Sequence, residues 1–175
     1  MKEQTQYSVT WPTTVGACCI IVGGLSLFGG CLAMTGMAEI EQLRTAIPFG
    51  DGEMSEELLK QLDATAPSIW IASIASALKI TFSLFLIHAG MALLKRVPKA
   101  RKSLLIWSVL YILLTVCSAV INWVPRMDLV QQSSEVQAMF LAQIVISMPL
   151  YLILPIFLLI YLNKNQARNE VALWR

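Results

Sequence analysis

Apolar residues run almost unbroken through four windows of the chain, 15–37, 69–94, 104–124 and 138–162, with polar stretches between them. Each window exceeds the ~18 consecutive apolar residues that mark a helix able to cross a bilayer. The pattern predicts an all-α integral membrane protein with four transmembrane helices. The windows occupy more than half the chain and leave no room for a soluble domain, so residues 1–175 read as a single membrane domain.

Inside the windows, small and polar residues recur at helical spacing. In the first, Gly16, Cys19, Gly23, Ser26, Gly30, Ala33 and Met37 alternate in steps of three and four, and Gly24 and Gly29 widen that face. A smooth face of this kind lets another backbone approach closely. Its 3-4 alternation predicts packing in a left-handed bundle at about 20°. The second window carries Ala72, Ser76, Lys79, Ser83, Leu86 and Gly90 on one stripe, and the third Ser108, Tyr111, Thr115, Ser118 and Asn122. The fourth holds Gln143 and Ser147, then Pro149 and Pro155, which release the carbonyls of Val145 and Tyr151 from helical bonding.

Lys79 dominates the candidate chemistry. It stands about ten residues into its window, near the bilayer midplane at ~1.5 Å rise per residue. A charge there costs about 2.5–3.5 kcal/mol on insertion scales, so it is rarely left facing lipid. The expectation is a polar site inside the bundle, built from Lys79, Ser76 and Ser83 on one helix and Tyr111, Thr115 and Ser118 on its neighbour. His88 lies on the opposite side of the helix and reads as an interfacial or packing residue.

Charge placement predicts orientation. The loop 95–102 carries Lys95, Arg96, Lys99, Arg101 and Lys102 and no acid, and Lys2, Lys164, Arg168 and Arg175 fall on the same side. The other side holds only Arg44, Lys60 and Arg126. This asymmetry puts both termini and the basic loop in the cytoplasm, with loops 38–68 and 125–137 outside. The location expected is the cell membrane. The basic loop could also meet anionic lipid headgroups, and nothing suggests a nucleic-acid surface.

The outer loop 38–68 is acidic. Ser55 suits an N-cap, Glu56 and Glu57 the first helical turn, and Leu58, Leu59 and Leu62 an apolar stripe closed by Pro67. A short acidic extracytoplasmic helix is expected there, after a turn at 48–52. The alternation Asp51, Glu53, Ser55 lacks the glycine and the final acid of a calcium loop. Tyr7, Trp11, Trp70, Trp107 and Trp123 are expected at headgroup level, and the tail 163–175 as an interfacial segment.

The composition removes several functions. The chain is 57% hydrophobic and 14% charged, with a net charge of +2. None of its eleven carboxylates falls in a window, which excludes an intramembrane carboxylate relay and an in-chain partner for Lys79 at its depth. Cys18, Cys19, Cys31 and Cys117 all lie in windows without a C-x-x-C pair, so neither a disulfide framework nor a zinc site is written here. One histidine cannot supply paired haem ligands. No cofactor or metal is expected, and a serine–lysine dyad lacks any supporting motif. Phe28-Gly29-Gly30-Cys31 and Gly36-x-Ala38 resemble cleavage boxes, but the thin charge before them favours a retained span.

These observations lead to a non-enzymatic accessory or scaffold subunit in the bilayer. It would act through helix–helix contacts with a partner membrane subunit or with its own copies. The alternative is a small-solute or anion transporter or channel, with Lys79 and the stripe of the third span lining the path.

Overall fold

A computed structural model of the protein describes residues 11–34 and 56–174. The turn expected at 48–52, Ser55, and Tyr7 lie outside the described residues, as do the side chains of Ala33, Leu58 and Leu59. The described chain is helical, without strands. Its elements are α1 (Trp11–Met34), α2 (Glu56–Ala64), α3 (Ile69–Leu94), α4 (Lys99–Trp123), a 3-10 turn (Val124–Arg126), α5 (Met127–Gln132), α6 (Ser134–Ala142), a π turn (Gln143–Ser147), α7 (Met148–Asn163) and α8 (Asn165–Val171). Four helical stretches are long and apolar enough to cross a membrane: Trp11–Cys31, Ile69–Leu94, Lys99–Gln132 and Val136–Asn163.

The boundaries follow from local chemistry. Pro12 sits in the first turn of α1, where its missing N–H has no partner to lose. α3 ends in a Schellman turn, with Arg96 N–H on Leu93 O at 3.0 Å and Val97 N–H on Ala92 O at 2.9 Å. Arg96 takes φ 54° there, a conformation that glycine adopts without steric cost. Pro98 then blocks continuation. Beyond α4 the chain differs from the loop expected over 125–137. The 3-10 turn around Pro125 interrupts the α-helix without ending the helical run, and only Ser133 is extended between α5 and α6. Its hydroxyl caps α6 by accepting from Val136 N–H.

The π turn directly precedes the first turn of α7, which holds Pro149. A proline ring crowds the carbonyl four residues before it, and the wider π turn is a common way to absorb that. Pro155, by contrast, is buried within continuous α-helix.

Packing follows chain order, α1 on α3, α3 on α4, and α4 on α7, each pair antiparallel. The α1–α3 seam is the tightest. A Cβ on Gly16 would stand 2.9 Å from Gly90 O, one on Gly23 3.1 Å from Ser83 O, and one on Gly30 2.9 Å from an Ile80 side-chain carbon. Hydrocarbon tails are as apolar as leucine, so close dispersion contact, not burial from water, holds such helices together. Gly24 and Gly29 have no neighbour within 4 Å of a Cβ, so the smooth face is narrower than the sequence suggests.

The main core lies at the end of the bundle that bears the basic loop. Val15, Cys19, Leu86, Ala89, Leu93, Leu104, Leu158 and Leu162 are buried together there. The first and fourth spans meet at this end through Trp11, whose ring is 5.5 Å from Tyr161 and stacks on Trp174 at 5.8 Å. Trp11 Nε1 donates to Glu170 of α8, and Arg101 Nε donates to Leu162 O at 2.8 Å. The acidic end is held by a smaller cluster of Leu62, Trp123 and Val136. Arg126 ties α2 to it, donating to Leu62 O at 3.3 Å and to Asn122 Oδ1 at 2.8 Å.

Candidate functional site

The stripe of α3 changes character along its length. Every buried residue of α3 lies between Ser83 and Leu93, in the half toward the basic end. Toward the acidic end the same stripe opens out, with Ser76 half-buried and Lys79 exposed. The expected inward placement of Lys79 is therefore corrected. Its face is the one that enters the core one turn later, but Lys79 itself stays exposed although α1 packs beside it at Ile80. Its ammonium makes no ion pair or hydrogen bond among the described residues.

Two of the hydroxyls expected around Lys79 are engaged within their own helices. Ser83 Oγ donates to Lys79 O and Thr115 Oγ1 to Tyr111 O, each at 2.8 Å. Thr115 and Ser118 are half-buried and make no hydrogen bond with the ammonium among the described residues. The expected six-residue site is thus not assembled. Ser83 and Tyr111 are brought together, and Lys79, Ser76, Thr115 and Ser118 remain outside.

What Ser83 and Tyr111 share is a cavity of about 300 Å³ between all four spans. α1 contributes Ser26 and Leu25, α3 Ser83 and Leu86, and α4 Trp107 and Tyr111. The fourth span contributes Ser147 from the π turn, then Tyr151 and Pro155. Trp107 and Tyr111 stack with ring centroids 4.8 Å apart, and Trp107 Nε1 donates to Phe82 O at 2.8 Å.

Trp107 and Trp123 were expected at the membrane surfaces, yet both are buried. Each indole N–H finds a protein acceptor, Trp123 on Gln143 Oε1 at 2.9 Å, which makes the interior tolerable. Sequence reading overlooked Ser147 and Tyr151 as partners of Ser26. Spacing alone could not place Ser147, at the end of the π turn, on the cavity wall.

The glycine face is spent within the chain. Gly16, Gly23 and Gly30 all meet α3, and Ser26 on the same face borders the cavity. His88 is exposed on the far side of α3. Among the described residues no group of three histidines, cysteines or acids could hold a metal ion. No family model, curated protein or solved structure matches the chain.

Proposed function

We propose that the protein is a non-enzymatic subunit of a membrane assembly, and that a span of another polypeptide covers the outer half of α3 and presents a carboxylate to Lys79. One observation carries this reading: Lys79 is exposed near mid-bilayer depth, and the one acid in the described spans, Asp128, lies near the far end of Lys99–Gln132. An unanswered charge there costs about 2.5–3.5 kcal/mol, and a partner's acid offsets that cost. A homo-oligomer is less well suited, because a second copy brings another lysine and no carboxylate at that depth. The glycine face no longer supports the reading, since α3 already occupies it.

On this reading the protein belongs to the cell membrane, with left-handed helix packing, cytoplasmic termini and α2 outside, and the charge of the basic loop supports that orientation. Transport is the second reading, favoured by the cavity between the four spans. Lys79 does not line that cavity, so an anion path loses the residue that would select for charge. Native mass spectrometry of gently extracted protein tests the subunit reading. A different polypeptide at fixed stoichiometry supports it, and a lone chain contradicts it.

A further inference from the structure

The cavity combines five features that together describe a ligand. It lies at the middle of the spans, and no charged side chain lines it. Its hydroxyls are poorly used. Ser83 bonds back to its own helix, but Ser26, Tyr111, Ser147 and Tyr151 make no hydrogen bond among the described residues. A hydroxyl left without a partner in an apolar setting is costly, so donors lining one space fit an acceptor that enters it. The wall beneath them is a stacked aromatic pair, Trp107 on Tyr111. The cavity also opens sideways. Leu25 on α1 and Leu150 and Tyr151 on the fourth span are exposed at its rim, where packing in chain order leaves α1 and α7 without a continuous seam.

We propose that this cavity binds a neutral, lipid-soluble molecule whose ring carries carbonyl or ether oxygens, of the quinone class, reached from the bilayer between the first and fourth spans. The aromatic pair receives the ring, and the hydroxyls of Tyr111, Tyr151 and Ser147 donate to its oxygens. The volume of about 300 Å³ takes one ring and the start of a tail, at the small end of ligand-sized cavities. An acyl chain would fill the space but leave the donors unanswered. The absence of lining charge disfavours an anion. The proposal does not rest on the subunit reading and involves no redox step.

Tryptophan fluorescence of the full chain in phosphatidylcholine nanodiscs tests it, with decylubiquinone as titrant, because Trp107 lies in the cavity wall. The expected result is a saturable quenching component above the linear background of quinone dissolved in lipid. Replacing Tyr111→Phe and Tyr151→Phe together keeps both rings and should weaken the saturable component about tenfold. Ser26→Leu fills the cavity from α1 and should abolish it. Quenching that stays linear, or a plateau unmoved by either variant, would overturn the proposal. Displacement by hexadecane as effective as by menadione would also overturn it and assign the space to hydrocarbon.

Discussion

The two halves of α3 have nearly the same apolar composition and opposite fates. Toward the basic end, Leu86, Ala89, Gly90 and Leu93 are enclosed by α1, α4 and α7. Toward the acidic end, Trp70 and Ile74 are exposed, and so is Lys79. Exposed apolar residues mean little in a bilayer, where lipid is their natural neighbour. An exposed lysine at that depth means a good deal. Comparing the halves shows that apolar patterning decides which segments enter the membrane, while polar residues and glycines decide which surfaces must be covered.

Mutations should separate the halves, and the largest effect belongs to the packed one. Trp107→Ala removes a buried indole and its bond to Phe82 O, and should cost about 3–5 kcal/mol in reversible unfolding in mixed micelles. Trp70→Ala in the open half should change stability by less than about 0.5 kcal/mol in the same assay. Equal effects would erase the distinction.

Next comes the glycine seam. Gly90→Ala would push a methyl to 2.9 Å from Gly16 O and 3.0 Å from the Cys19 Cβ. Backbone on the facing helix cannot step aside as a flexible side chain can, so a loss of about 1–3 kcal/mol is expected. Gly24→Ala and Gly29→Ala enter open space and should gain about 0.5–1 kcal/mol each from helix propensity. A loss at Gly24 or Gly29 would mean that a second helix lies on that side of α1.

A smaller change concerns the turn that leaves the packed half. Arg96→Gly relieves a positive φ and should stabilise by about 1 kcal/mol, read as a shift in the same unfolding curve. No change would show that the basic loop is held by contacts other than the Schellman turn.

Much of this architecture was legible in the chain. Spans announce themselves by length. Gly16, Gly23 and Gly30, which share a face by spacing, all meet α3, and Lys79 lies on the stripe of Ser83 and Leu86. Periodicity fixes the direction of a residue around a helix but not how far along the axis the neighbours stay close. Lys79 was therefore assigned the correct side and the wrong surroundings. The same limit hid the partner of the glycine face, which is α3, not another chain. Trp107 and Trp123 misled for a different reason. An indole near a span's end suits a headgroup region as well as a buried acceptor, and only the fold supplied Phe82 O and Gln143 Oε1.

Photo-crosslinking inside the native membrane tests the central claim most directly, with benzoylphenylalanine placed at Ile74 or Leu78 in the open half and at Met91 in the packed half. The three side chains are comparably open to the surroundings. The account predicts a discrete protein adduct from positions 74 and 78, lost with Lys79→Leu, retained with Lys79→Arg, and absent at position 91. Lipid adducts alone from all three positions, or a protein adduct indifferent to Lys79→Leu, would contradict it.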